Sequence, residues 1–138
     1  MNTRVICSMA LCLAPTMASA QALVAQEQGA VIWRCGGVGV EERDELAKME
    51  AGSNLKLVFA AGARGEYLAN VQVAISERQS KVAAIKFVAE GPICLVKAPA
   101  GSYRVDASVG DRKSSVSATI AEDASRPAMM VLRFPAGD

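Results

Sequence analysis

Short segments of alternating apolar and polar side chains follow one another from residue 54 to residue 134. Alternation with a period of two is typical of a strand that buries one face. The predicted strands are residues 54–60, 71–76, 82–89, 93–97, 103–109, 116–120 and 128–134. Turn-forming residues separate these segments at fairly regular intervals, which favours an all-β fold, a seven-stranded antiparallel β-sandwich with one short N-terminal helix, over parallel βαβ units.

The same alternation predicts which side chains form the core. The inward positions of the clearest strands are Leu55, Leu57, Phe59, Val71, Val73, Ile75, Tyr103, Val105, Ala107, Val109, Met130, Leu132 and Phe134. In residues 82–89 both registers carry apolar side chains. The pattern therefore leaves the inward face of this strand unassigned.

Residues 91–110 form the most clearly punctuated stretch of the chain. Gly91 and Pro92 precede an apolar run, and Pro99 and Gly101 follow it. Proline favours the second position of a tight turn and glycine tolerates positive φ, so we predict a hairpin of two strands. Tyr103, just past the turn, is either a ligand contact or a corner residue whose hydroxyl group bonds a nearby backbone group. We favour the corner residue.

This stretch carries a resemblance to a known family. Residues 98–105, Ala-Pro-Ala-Gly-Ser-Tyr-Arg-Val, resemble the hairpin motif of carboxypeptidase regulatory-like domains, which are prealbumin-like (transthyretin-like) β-sandwiches. Residues 36–43, 54–60 and 67–71 are similar to stretches of small exported proteobacterial proteins built on that domain. The resemblance covers residues 36–110 and implies a sandwich fold and an exported, non-catalytic module, without supplying a site.

One helix is predicted, over residues 41–50. Acidic side chains in its first turn complement the helix dipole, and Leu46 and Met49 give it a narrow apolar stripe. The acidic residues Glu41, Glu42, Asp44 and Glu45 suggest either a cation site or a solvated helix face. They lack the spacing and the glycine of a calcium loop, so we favour the solvated face.

The first twenty residues have the three parts of a secretory signal. Arg4 supplies the positive region, residues 5–13 are apolar, and residues 18–20 are a small-residue cleavage site. We therefore predict a cleavable signal peptide over 1–20, an N-terminal arm with the short helix over 21–53, and the sandwich domain over 54–138. The expected location is periplasmic or secreted, and no segment is predicted to cross a membrane.

Two cysteines remain after the predicted cleavage, Cys35 and Cys94. An even pair in an oxidising compartment favours a disulfide bond. The alternative is two buried thiols, since cysteine is often simply a small core residue.

The composition argues against most catalytic chemistry. The chain has no histidine, which removes the commonest general base and most zinc sites. The family's fold also hosts a hydrolase of a purine-degradation intermediate, but that activity depends on histidines and a C-terminal tyrosine motif, whereas this chain ends in Arg-Phe-Pro-Ala-Gly-Asp. We predict no enzyme, no catalytic residue, no metal and no cofactor.

The favoured function is a module that binds an envelope protein or a glycan. Fifteen basic and fourteen acidic residues nearly balance, which gives no indication of a nucleic-acid partner. Trp33 is either a stacking platform for a ligand or an apolar anchor, and we favour the anchor. Arg64, Arg112 and Lys113 lie in predicted loops, where they either meet acidic groups or are ordinary solvated charges.

Two other functions stay open. The alternative is a structural, envelope-maintenance protein that self-associates, which an exposed apolar patch would favour. The remote alternative is a hydrolase that uses carboxylates alone, such as Glu66 with Asp106. No spacing in the sequence brings those two side chains together, and the sequence alone does not indicate the oligomeric state.

Overall fold

The computed structural model describes residues 23–79, 85–121 and 126–137, which form a mostly β fold with one α-helix and two sheets. The predicted signal peptide, residues 1–20, lies outside the described residues, as do residues 82–84 of the third predicted strand. Within the described part of the chain, no helix is both long enough and apolar enough to cross a membrane.

The elements follow the predicted order along the chain. They are β1 (Gln26–Gln28), β2 (Val31–Gly36), α1 (Val40–Met49), β3 (Leu55–Ala61), β4 (Glu66–Tyr67), β5 (Val71–Glu77), β6 (Ile85–Ala89), β7 (Ile93–Lys97), β8 (Gly101–Val109), β9 (Arg112–Ile120) and β10 (Ala128–Phe134). Sheet A has the strand order β1-β2-β7-β3-β10, with β4 paired to β3. Sheet B has the order β6-β5-β8-β9.

Both sheets contribute inward side chains to one buried cluster. The largest almost completely buried members are Phe59, Leu55, Leu57, Leu132, Val71, Val73, Val96 and Val105. Burying a side chain of this size contributes roughly 1.5–3 kcal/mol. The alternation in the sequence therefore predicted the inward faces of β3, β5, β8 and β10 correctly. The apolar positions within a strand are sufficient to identify which of its two faces is buried.

Helix α1 covers the part of the outer face of sheet A that is formed by β7. It begins after Gly39, whose φ of 121° favours glycine, and its Leu46 is 1% exposed against Ile93 and Leu95 of β7. The ammonium group of Lys56 on β3 forms an ion pair with Glu50, just past the helix. The predicted helix is confirmed, and it gives sheet A a second, smaller apolar layer.

The predicted hairpin over residues 91–110 is wrong. Strand β7 lies in sheet A between β2 and β3, whereas β8 lies in sheet B between β5 and β9. Both edges of each strand are occupied, so β7 and β8 have no edge left with which to pair. The turn between them carries the chain from one sheet to the other.

Other details also differ from the sequence prediction. Ten strands lie in the described residues rather than seven, the additions being β1, β2 and β4. Strand β2, predicted in an N-terminal arm, is paired on both sides within sheet A. Strand β10 runs parallel to β3 rather than antiparallel, because the chain reaches it from β9 in the other sheet and not through a tight turn.

Candidate functional site

The outer face of sheet B is a polar surface that spans all four strands. Alternation turns the even-numbered residues of β5, β6 and β8 and the odd-numbered residues of β9 away from the core. An open cavity of about 730 Å³ lies on this side of the sheet. We call this concave surface the sheet B face.

Strand register places its side chains in rows across the sheet. One row is Val88, Gln72, Ser108 and Lys113. The next row is Lys86, Ala74, Asp106 and Ser115. A third row contains Ser76, Arg104 and Ser117. The small side chains of Ala74 and Ser108 on the two inner strands leave room for the cavity, while longer side chains stand at its sides.

A hydrogen-bonded group fixes one end of the cavity. The Nε atom of Arg104 donates to Oδ1 of Asp106 at 3.0 Å, and the hydroxyl group of Ser115 donates to the same oxygen. The Ser115 hydrogen bond, followed by the hydrogen bond and charge of Arg104, lowers the pKa of Asp106 below its ordinary value despite partial burial. Asp106 is therefore a stable carboxylate that is already engaged by two neighbours.

Two lysines flank the cavity from opposite strands. Lys86 projects from β6 and Lys113 from β9, the two end strands of sheet B, and both are exposed. Among the described residues neither ammonium group forms an ion pair. A second, smaller concavity of about 270 Å³ extends past Arg104 and is also lined by Arg78 and Ser117.

Trp33, for which the sequence left a stacking platform and an apolar anchor as alternatives, lies in the core shared by the two sheets. Only 8% of the residue is exposed, and its ring stacks on Phe87 of sheet B with centroids 4.7 Å apart. Because so large an apolar ring gains more from burial than from water, it anchors β2 to the core.

The three predicted loop cations have different surroundings. Arg64 is exposed in the turn between β3 and β4, away from the sheet B face. Arg112 donates through Nη1 to the carbonyl oxygen of Pro135 at 3.0 Å and so holds the segment after β10. Lys113 lines the sheet B face, and it is the one of the three that the structure brings to a concave surface.

The predicted turn residues lie where the chain changes sheets. The hydroxyl group of Tyr103 donates to the carbonyl oxygen of Pro99 at 2.7 Å, across the turn that contains Gly101. Asn54 holds the residue before Pro99 from the other side, since its side chain accepts from the amide of Ala98 and donates to the carbonyl of Ala98. This corner positions β8, and through β8 the sheet B face.

The other two predicted turn residues precede β7. The carbonyl oxygen of Pro92 accepts a hydrogen bond from the amide of Phe59 at 2.9 Å. Gly91 packs directly on the backbone of Gly36, and a methyl group at position 91 would overlap it. The glycine is therefore required by close packing.

A disulfide bond joins Cys35 of β2 to Cys94 of β7. The two residues lie opposite each other in the antiparallel pair, with their Cα atoms 4.1 Å apart. The bond fixes β2 to the centre of sheet A, and Cys94 is completely buried.

Sequence reasoning missed Lys86 as a site residue. It lies in the segment whose facing the pattern left unassigned, and only the register of β6, β5, β8 and β9 brings it to the same cavity as Lys113. The serine-rich outward positions of β9 were a usable signal, because a strand that turns hydroxyl groups outward is a polar sheet face.

The other candidate catalytic and metal-binding residues do not lie together in the structure. Glu66 lies on β4 of sheet A and Asp106 on the sheet B face, so the two carboxylates belong to different sheets. Across the described ranges, no group of three or more His, Cys, Asp or Glu residues is arranged to hold a metal ion.

Comparison with known proteins finds no family model and no curated protein that matches this chain.

Proposed function

We propose that this protein is an exported, non-catalytic β-sandwich module that binds a glycan in the periplasm through the sheet B face. The observation that carries the proposal is the cavity of about 730 Å³ on a sheet whose outer side chains are mainly polar. Concave surfaces with a few well-placed polar groups are the usual sites of ligand binding.

Several features support the sandwich and the resemblance to prealbumin-like domains. The two sheets share one buried cluster, and the corner at Tyr103 has the type of hydroxyl-to-backbone contact found in such sandwiches. The bond between Cys35 and Cys94 favours an oxidising compartment, in agreement with the signal peptide predicted over residues 1–20.

The geometry also supports a binding role over catalysis. Asp106 is the one carboxylate among the described residues that line the cavity, and its lowered pKa with two hydrogen-bond partners makes it a weak general base. The rest of the cavity is lined by apolar side chains such as Val88 and by hydroxyl, amide and ammonium groups, and these polar groups can bind oxygen-rich ligands.

A glycan fits this face better than a peptide strand. The backbone groups of β5 and β8 are already paired on both sides, so the middle of the sheet offers only side chains. Peptides that add to a sheet need an open strand edge. Hydroxyl groups such as those of Ser108 and Ser115 instead suit a ligand that has many hydroxyl groups of its own.

A variant that fills the cavity tests the proposal. Ala74→Tyr places a ring over the floor of the cavity from an outward position, while Thr119→Tyr adds the same ring on the same sheet outside it. Calorimetry against a panel of neutral and acidic oligosaccharides should detect binding to the wild type and to Thr119→Tyr, with none to Ala74→Tyr. Wild-type binding that survives in a folded Ala74→Tyr variant, or no binding to any oligosaccharide, contradicts the proposal.

A second candidate function is self-association through β10. Met129 and Val131 are 62% and 38% exposed on the outer side of this end strand of sheet A, and Tyr67 is 57% exposed on β4. Adjacent exposed apolar side chains on an end strand favour contact with another copy. Light scattering should then give a mass that rises with concentration and falls to the monomer in a Met129→Lys/Val131→Lys variant. A monomer at every concentration rejects this candidate.

A further inference from the structure

The sheet B face carries an excess of positive charge. Lys86, Lys113 and Arg104 line the cavity with one carboxylate, Asp106, and Arg78 lines the concavity beside it. Since Asp106 is already engaged by Arg104 and Ser115, the ammonium groups of the two lysines determine what an incoming ligand meets.

A group of acidic residues lies on helix α1, on the other side of the molecule. Helix α1 begins with a run that contains Glu41, Glu42, Asp44 and Glu45, and it packs on the outer face of sheet A. The chain as a whole is close to neutral. The described side chains that line the sheet B face carry three positive charges and one negative charge, which favours a negatively charged ligand there.

The two lysines are spaced to contact an extended ligand. Strands β6 and β9 are separated by β5 and β8, and the two lysines stand in neighbouring rows, so their Cα atoms lie about 16 Å apart at three interstrand spacings across the sheet and two residues along it. Ala74 and Ser108 form the low floor between them. A chain that crosses this floor can place a negative group near each ammonium group and its hydroxyl groups near the serines.

Aromatic stacking does not supply the affinity here. Phe87 is the one aromatic residue among the described residues that line the cavity, and its ring stacks on Trp33 of the other sheet. Charge-assisted hydrogen bonds are the strongest contacts that the remaining side chains can make. The ligand should therefore carry negative groups of its own.

We propose that the ligand is an acidic, carboxylate-bearing oligosaccharide held between Lys86 and Lys113. This inference rests on the proposed function and adds the chemical class of the ligand. Because both lysines are exposed, salt screens their attraction for the carboxylates, and binding weakens as the ionic strength rises.

Calorimetry with a matched pair of ligands tests the inference. A short oligouronate should bind the wild type, whereas its carboxyl-reduced neutral form should bind at least about tenfold more weakly. Lys86→Ala and Lys113→Ala should each weaken oligouronate binding by about tenfold, and Lys86→Arg should retain it. Lys48→Ala, on the exposed side of α1, is the matched control and should bind as the wild type.

Different binding results would contradict different parts of these two proposals. Equal binding of the neutral form, abolished by Ala74→Tyr, overturns the acidic ligand and leaves the glycan-binding proposal standing. Equal binding of an oligoglutamate peptide shows that charge alone is recognised and overturns the saccharide. No binding of either saccharide overturns the acidic ligand, and the glycan-binding proposal falls with it if no other oligosaccharide of the panel binds.

Discussion

Tyr103 connects the two sheets through a single hydroxyl group. The residue is 6% exposed, and its hydroxyl group donates to the carbonyl oxygen of Pro99 on the far side of the turn. Tyr103→Phe keeps the ring and removes this bond, so it should lower the free energy of unfolding by about 1 kcal/mol. Urea denaturation measures the change. An unaltered midpoint and slope would show that the bond contributes nothing to the corner.

Tyr103 also makes the stability of the fold depend on pH in the alkaline range. Burial first, and the charge of Glu77 second, raise the pKa of Tyr103 above its ordinary value of 10.0. The folded state therefore favours the neutral phenol, and this contribution is complete below pH 10 and is lost as the pH rises through the raised pKa. Tyr103→Phe should lose less stability than the wild type between neutral and strongly alkaline pH.

Gly91 has a packing role that a matched glycine lacks. A Cβ atom at position 91 would lie 2.6 Å from the Cα atom of Gly36, whereas one at Gly52 would meet no atom within 4 Å. Gly91→Ala should therefore destabilise the fold by about 1–3 kcal/mol, and Gly52→Ala should not. Thermal melting of the two variants makes the comparison, and equal melting temperatures would contradict the close approach.

At the level of elements, the disulfide bond holds β2 against β7. The bond closes a loop with a sequence separation of 59 residues between Cys35 and Cys94. Reduction should lower the free energy of unfolding by about 2–4 kcal/mol, mainly because the unfolded chain regains freedom. The Cys35→Ala/Cys94→Ala variant should be less stable than the oxidised wild type and insensitive to reductant. A wild type that is equally stable after verified reduction would argue against this role.

The sequence predicted the faces of individual strands better than their partners. Alternation is local, so the buried sides of β3 and β8 could be read from Leu57 or Val105 and their neighbours. Which strands pair depends instead on which strand edges remain free, and strands from other parts of the chain determine that. The turn at Pro99 therefore suggested a hairpin although it joins two sheets.

The candidate site was only partly accessible from sequence for the same reason. Lys113 and the outward serines of β9 could be identified from their own strand. The contribution of Lys86 required the register of four strands, two of them distant in sequence from β6. A surface assembled across a sheet has no continuous motif along the chain.

At the scale of the whole molecule, the two outer faces differ in how far they are covered. Helix α1 covers part of sheet A, whereas sheet B is open and lined by basic, hydroxyl-bearing and apolar side chains. We expect a ligand to bind on the sheet B face.

The most direct measurement is an amide NMR titration of the protein with the oligouronate. We expect the largest chemical-shift changes at Ala74, Asp106, Ser108 and Ser115, with smaller changes towards Ser117. The amide resonances of residues in α1, such as Leu46, should keep their chemical shifts. Changes confined to α1 and the outer side of β10, or no changes at saturating ligand, would contradict the account.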